Sequence, residues 1–344
     1  MSWQLVPPAL PQAVPQARAV SLSGYVSVAA SVGLDPYEML AEAGIEPRLL
    51  DDPEARLPAA AIARLLERSA TRSGCETFAL RLVEERSFAS LGPLSLMLRY
   101  EDNLRDMIAA MRAYGRLMSD VQIIELEEAD GEAELRVDIA LEGAGRQIAE
   151  LVAGLTRRFL AEAMFSGWHP EAAHFRHGPP ADMAVHQRVF RTALRFGSHF
   201  NGFSFPAALL DRDNAFADAG LRAHARDHLD RLCRELPELA LTDQVRAAIR
   251  AQLADGGATL LKVAAGLRLH PRALQRRLAA HGAPFAAIVE ETRDALAREL
   301  LADTDLPVAD VAARAGYASA TSFTRWFAAR AGLPPGEWRA KARG

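Results

Sequence analysis

Cysteine is scarce in this chain of 344 residues, which contains only Cys75 and Cys233. Two cysteines far apart in sequence exclude a disulfide framework and a cysteine-based zinc cluster, and they fit the reducing cytoplasm. Long apolar runs are missing as well, because no stretch approaches the ~18 residues that a membrane-spanning helix needs. We therefore expect a cytoplasmic protein with no membrane partner.

The N-terminus lacks the basic cluster and following apolar stretch that mark a secretory signal. Its first twenty residues are instead rich in proline and alanine. Such a composition favours neither a helix nor a strand, so we predict a flexible leader over 1–20.

Motifs of common enzyme classes are also absent, since the chain has no G-x-S-x-G, Walker A or G-x-G-x-x-G run. His224 and His228 lie four apart, but the charged residues between them favour a solvated helix face. Four other histidines lie near one another without the spacing of a zinc site, namely His169, His174, His177 and His186. We predict no catalytic site, no metal site and no cofactor.

Charge is unevenly distributed along a chain whose net charge is -4. Residues 240–344 contain 15 Lys+Arg against 10 Asp+Glu, while the rest of the chain contains 25 against 34. A basic C-terminal third on an acidic body is typical of a nucleic-acid-binding module. The net acidity of the whole chain argues against an indiscriminate DNA coat protein.

The first two thirds of the chain mixes helical and strand periodicity. Two alternating segments around Asp130-Gly131 predict a β-hairpin, and short strands are predicted near 172–177, 194–196 and 202–205. The segment 21–50 is predicted to form a helix, a break near 33–36 and a short helix ended by Gly44. Further helices are predicted at 58–73, 77–85, 103–118, 146–165 and 182–190. We predict an α+β domain over 21–220 with a small, mainly antiparallel sheet, followed by a linker helix over 221–239.

The last third, 240–344, shows only helical patterns and predicts an all-α domain. A short amphipathic helix is followed by a turn and a second helix opened by Pro271, in which Leu274 and Leu278 face inward. A recognition helix needs such an apolar back and polar side chains able to reach base edges. Three residues of this helix are therefore predicted to contact DNA bases, namely Arg272, Gln275 and Arg276.

The same pattern recurs 48 to 50 residues later, which indicates an internal repeat. Phe323 and Phe327 match Leu274 and Leu278, and the predicted helix between the copies, 285–301, is ~25 Å long. Such a helix can hold two recognition helices about one DNA turn apart. The second unit offers five polar residues to DNA, namely Ser319, Thr321, Ser322, Thr324 and Arg325.

Several runs of the C-terminal third together resemble a known family. They are LQRRL at 274–278, G-A-P-F at 282–285, and VADVAARAGYASATSFTRWFAARAGLPPGEWR at 308–339. The segment resembles the DNA-binding domain of the AraC/XylS family of bacterial transcription regulators, which implies two helix-turn-helix units joined by a long helix. Two positions depart from the family pattern, because Arg268 replaces a glycine and His270 replaces the usual helix cap.

The N-terminal two thirds is similar, at fewer positions, to the sensing domain labelled arabinose-binding in a subset of this family. The matching runs are LGPL at 91–94, MRAY at 111–114 and VFRTALRFGSHFNGFSFPAALLD at 189–211. The resemblance implies a homodimeric regulator, an activator in our hypothesis, that answers to a small molecule and binds promoter DNA, with RNA polymerase as a candidate partner. Because Arg195, His199 and Asn201 alternate with aromatic residues, we predict that they bind the effector.

Two other classes of protein fit the sequence less well. A DNA-repair enzyme with a helical DNA anchor would need a reactive cysteine in a basic setting, and neither Cys75 nor Cys233 lies in a Pro-Cys-His sequence. A constitutive nucleoid protein would be strongly basic. A sequence-specific regulator is the preferred hypothesis, and the repair enzyme is the alternative.

Overall fold

The computed structural model describes residues 14–141, 145–164, 168–237, 240–253, 258–267, 269–280, 282–304 and 306–343. Within these ranges the N-terminal part is helix-rich and carries a mixed sheet, and the C-terminal part is helical. Two separate apolar cores underlie these parts: one extends from Ala17 to Leu229, the other from Val245 to Phe327. None of the helices in these ranges is long and apolar enough to span a membrane.

Helices of the N-terminal part form where apolar residues recur at three- and four-residue spacing. In the helix at Ala59–Ser73, for example, Ile62, Leu65 and Leu66 are buried, as the sequence predicts. The nine helices described here are α1 Tyr25–Ser31, α2 Pro36–Ala43, α3 Ala59–Ser73, α4 Phe78–Glu85, α5 Pro93–Tyr100, α6 Leu104–Tyr114, α7 Arg146–Ala163, α8 Ala184–Phe190 and α9 Ala219–Glu235.

Five strands form the main sheet in the spatial order β3-β4-β7-β5-β6. Their bounds are β3 Gln122–Ala129, β4 Glu132–Ile139, β5 Ala172–His174, β6 Ala193–Arg195 and β7 Gly202–Pro206. The predicted hairpin is confirmed, with positive φ at both Asp130 and Gly131 as its two-residue turn requires. All pairings are antiparallel except β5 with β6, which are parallel and are linked through α8.

The predicted leader is wrong for its last residues. Gln16–Arg18 forms strand β1, which pairs antiparallel with β2, Arg56–Pro58. Ala17 and Ala19 are buried because this segment packs against the first core. The remaining predicted leader, up to residue 13, lies outside the described residues.

The helix expected as a linker is α9, and it belongs to the first core. It starts at Ala219, where the side chain of Asp218 caps it by accepting from the amide of Leu221 at 2.9 Å. It packs along α5 and buries Ala225 and Leu229. Because its apolar face is covered by the N-terminal part, α9 extends that part rather than spanning free space.

The C-terminal part consists of helices packed around α13. Their bounds are α10 Leu241–Leu253, α11 Leu260–Gly266, α12 Pro271–Ala280, α13 Phe285–Asp303, α14 Val308–Arg314, α15 Ala320–Ala331 and α16 Pro335–Arg343. The pairs α11–α12 and α14–α15 each pack together, and α13 contacts α10, α14 and α16. With 19 residues, α13 is ~28 Å long.

Candidate DNA-binding surface and sensor cavity

The outer face of α12 carries the polar residues that the sequence singles out. Leu274 and Leu278 are fully buried in the second core, and they fix the helix on its scaffold. Other side chains of the helix point away from this core, since Arg272, Gln275 and Arg276 are all exposed. This face can present two guanidinium groups and one amide to a nucleic acid, the donor groups that read guanine and adenine edges.

At the start of α12, His270 takes the place of the helix cap that the family pattern has there. Its Nδ1 accepts a hydrogen bond from the amide of Arg272 at 3.3 Å. This bond satisfies one of the free amides that every helix N-terminus leaves. The other unusual position, Arg268, lies outside the described residues.

Helix α15, like α12, buries two apolar side chains and carries polar residues on its other face, most of them shorter than those of α12. Phe323 and Phe327 are fully buried, as predicted from their match to the leucines of α12. Ser319 caps the helix, and its Oγ accepts from the amide of Ser322 at 3.2 Å. Thr321 and Arg325 are exposed, and Ser322 and Thr324 are half-buried.

The long helix α13 holds α15 through a specific contact. The indole Nε1 of Trp326 donates to Oε2 of Glu290 on α13 at 2.6 Å. The ring of Trp326 also lies 4.9 Å from that of Tyr317, between the centroids. A short charge-assisted bond and ring packing together orient α15, so α13 positions its polar face.

The predicted effector residues do not form one cluster. Arg195 is exposed on β6, at the edge of the sheet. His199 and Asn201 line a different feature, a cleft of about 320 Å³ between the sheet and the C-terminal part. In this cleft the guanidinium of Arg314 on α14 donates to the main-chain carbonyl of His199, and Oδ1 of Asn201 accepts from the amide of Arg176 at 2.9 Å.

A second cavity, which the sequence patterns do not reveal, lies inside the N-terminal core. It has a volume of about 90 Å³ and is lined mainly by aliphatic side chains of α3, α5, α7 and the β3–β4 hairpin. One charged residue, Arg86, lines it too, although its side chain is almost fully buried. Arg86 follows α4 in a run of charged residues, so its sequence context suggests a solvated residue.

Comparison with known protein families finds a match for each of the two parts. A family model described as the arabinose-binding domain of AraC transcription regulators, N-terminal, matches residues 33–214, more than half of the chain. A helix-turn-helix domain model matches residues 263–341. The chain belongs to the AraC family of transcription regulators.

Curated relatives align with this AraC-family chain over nearly its whole length. The regulator VirS of Mycobacterium tuberculosis is 27% identical over 332 residues, which cover 94% of this chain and 96% of VirS. The ornithine utilization regulator of Pseudomonas aeruginosa is 26% identical over 332 residues, covering 95% and 96%. Among solved structures, the regulator CdpR of P. aeruginosa has a TM-score of 0.43 at 19% identity, over 88% of this chain and 96% of CdpR.

The AraC-family relatives bear the names of transcription regulators, and none of those named here is called a repair enzyme. The surroundings of Cys233 agree with these names. Burial, with a smaller contribution from Asp230, raises the pKa of the Cys233 thiol, the opposite of what activates a nucleophilic cysteine. In the part of the chain that the structure describes, no three His, Cys, Asp or Glu side chains group so as to hold a metal ion.

Proposed function

We propose that this AraC-family regulator binds promoter DNA through two helix-turn-helix units, α11–α12 and α14–α15, and answers to a small molecule bound in its N-terminal domain. The observation that supports the first unit is the exposed row of Arg272, Gln275 and Arg276 over a buried leucine back. This row matches the donor requirements of direct readout in the major groove.

The second unit contributes a different kind of contact in this proposal. Its hydroxyl groups at 319, 321, 322 and 324 donate to phosphates, and Arg325 is divided between a phosphate and a base edge. The ~28 Å length of α13 is close to the ~34 Å of one DNA turn, so the two units lie over two successive major grooves. A homodimer would then cover two such paired sites, and RNA polymerase is the proposed partner in activation.

The role of Arg276 is tested with full-length protein and a DNA fragment from its own promoter region. We expect Arg276→Ala to weaken binding to the specific fragment by ~1–3 kcal/mol and to relax the preference at one base pair. Fluorescence anisotropy with the specific and a scrambled fragment, at one salt concentration, measures both effects. Arg330→Ala is the control, because it removes the same charge from the exposed end of α15, beside Asp294 of α13.

An equal loss on specific and scrambled DNA would show that Arg276 contacts a phosphate instead of a base. The proposed regulator function itself would fail if the wild-type protein bound the two fragments equally under all salt conditions.

We further propose that the cleft at His199 and Asn201 transmits the signal between sensor and DNA-binding parts. There the main-chain carbonyl of His199 accepts from the guanidinium of Arg314, and Oδ1 of Asn201 accepts from the main-chain amide of Arg176. Arg314 belongs to the first helix of the second unit. A shift of the sheet would therefore reach α14 directly. The effector role of Arg195, His199 and Asn201 stays a prediction, and the cavity beside Arg86 offers a ligand a more apolar lining. A coupling of ~1–3 kcal/mol between effector and DNA would suffice for regulation.

A further inference from the structure

Within the part of the chain that the structure describes, Arg86 is a buried cation without a counter-charge. Its side chain is 2% exposed, and its Nε and Nη2 are buried without a hydrogen-bond partner. Burial, together with the nearby charge of Arg18, lowers the pKa of Arg86 to about 10. The guanidinium therefore remains protonated at neutral pH, in the interior of the N-terminal domain.

The neighbouring Arg18 differs in having its own acid. Its Nη2 forms an ion pair with Glu54, and its Nη1 donates to the carbonyl of Leu91 at 3.5 Å. Leu91 also lines the cavity, so Arg18 lies just behind the wall while its charge is balanced. Arg86, which lines the cavity itself, is the guanidinium left unbalanced.

An unpaired buried charge is costly, and proteins normally pair it or hydrogen-bond it. Around Arg86 the described residues supply neither an acid nor a full set of acceptors, while the cavity beside it is open to a small molecule. An anionic group in the cavity would complete the pair in a site of low dielectric, where such a bond is short and strong. The aliphatic lining would cover an apolar tail.

We propose that the effector of this regulator is a carboxylate with a short apolar tail, whose carboxylate binds Arg86 inside the sensor cavity. The tail is short because a volume of about 90 Å³ is below the ~150 Å³ of a cavity that admits benzene. The inference rests on the proposed function for its biological meaning, since binding at this site is what the sensor would report to the DNA-binding units.

The experiment is calorimetric titration of the full-length protein with straight-chain carboxylates from acetate to octanoate and with the alcohols of equal length. We expect affinity to pass through a maximum at a short chain, where the carboxylate binds at least tenfold more tightly than its alcohol. Arg86→Met should abolish this preference, and Arg86→Lys should retain part of it. Arg48→Met is the control, because the Arg48 side chain is 79% exposed and, among the described residues, its ion pair is with Glu46.

A second readout separates ligand binding from a structural role. If Arg86 is an unbalanced charge, Arg86→Met raises the unfolding temperature of the ligand-free protein while removing the carboxylate preference. A structural arginine would instead give a lower unfolding temperature with the preference intact, which would overturn the proposal. Equal affinity for carboxylates and alcohols in the wild type, or no binding of any member of the series, would overturn it without any variant.

Failure of this inference and failure of the proposed function remain distinguishable in the same preparations. Specific DNA binding without a carboxylate preference would refute only the ligand class. Absence of sequence preference on DNA in the wild type, both without ligand and with each carboxylate of the series, would refute the regulator function, whatever the titrations show.

Discussion

At the scale of single residues, the N-terminal domain also buries an acid between two histidines. Glu150 is fully buried, and its Oε1 lies 2.8 Å from Nε2 of His186 and 3.4 Å from Nε2 of His177. Burial lowers the pKa of His177 to about 4, in spite of the attraction of Glu150. Burial alone would raise the pKa of Glu150, but the bond from His186 and the nearby charges outweigh it and lower that pKa.

These pKa shifts predict that acid destabilises the protein in two stages. Between pH 6.5 and 4 the unfolded chain binds a proton at His177 that the folded chain does not, so stability falls as pH falls. Below the unfolded pKa of Glu150, stability is lost again as that acid becomes protonated. From pH 7.5 to 5 the His177 contribution is ~2 kcal/mol, measured as the change in urea unfolding free energy.

The variant His177→Gln should flatten this dependence between pH 7.5 and 5. His169→Gln is the control, because His169 is exposed. If both variants kept the wild-type slope, His177 would not be the residue that titrates.

Sequence patterns identify some of these residues and miss others for a physical reason. Leu274, Leu278, Phe323 and Phe327 are predictable, because helical spacing alone places them on the buried side. The burial of Arg86 depends on which helices and strands surround it, and no local pattern records that. The same holds for the pairing of Glu150 with histidines 27 and 36 positions away.

At the scale of elements, long periodic segments are predictable and short strands are not. The hairpin of β3 and β4 follows from alternation and the Asp130-Gly131 turn. Strands β1 and β2 have three residues each, and they form because their backbones pair across 40 positions of sequence. The prolines before β1 favour the prediction of a flexible leader. Only the pairing of β1 with β2, which is distant in sequence, shows that this segment is a strand.

The cap of α15 allows helix stability and DNA contact to be separated at one position. Ser319→Ala removes the acceptor for the Ser322 amide and should destabilise the protein by ~1 kcal/mol. Ser319→Asp keeps a capping oxygen and should restore most of that stability, but in the proposed complex its negative charge would face the DNA phosphates. We therefore expect Ser319→Asp to be stable in urea unfolding and weaker than Ser319→Ala in DNA binding.

If Ser319→Asp bound DNA as well as the wild type, the N-terminus of α15 would not approach the phosphate backbone. Asn103→Ala is a matched control, because Asn103 caps α6 in the N-terminal part. It should lower stability by a similar amount and leave DNA affinity unchanged.

At the scale of the whole molecule, charged residues join the sheet to the C-terminal helices. Nη2 of Arg250 on α10 lies 2.6 Å from Oε2 of Glu299 on α13. On the sheet side, Nη1 of Arg176 donates to Asp138 at 2.6 Å. Burial opposes ionisation of Asp138, but Arg176 and Arg250 overcome it and lower the pKa of that acid. Arg250 of the C-terminal part thus attracts Asp138 of the sheet across the boundary between the two parts.

Arg314 lines the cleft between the sheet and the C-terminal helices, and its electrostatic surroundings there are unfavourable. Burial is the main cause that lowers the pKa of Arg314 to about 10, and repulsion from Arg176 and Arg136 adds to it, against a favourable contribution from Asp310. Arg314→Glu would replace two repulsions by two attractions, at the cost of the attraction to Asp310 and of the hydrogen bond to the His199 carbonyl. We expect the variant to raise the unfolding free energy by ~1 kcal/mol, because a partly buried pair is screened less than a surface pair.

If the contact between the sheet and the C-terminal helices opens or shifts when DNA binds, a variant that stabilises this contact must also affect DNA binding. By linkage, each ~1.4 kcal/mol that stabilises only the unbound arrangement weakens DNA binding about tenfold. Arg330→Glu introduces the same charge change on α15 and serves as the control for simple repulsion of DNA. If Arg314→Glu altered stability and DNA affinity no more than Arg330→Glu does, the two parts would not be docked through this cleft in solution, and the signal would have to cross the molecule elsewhere.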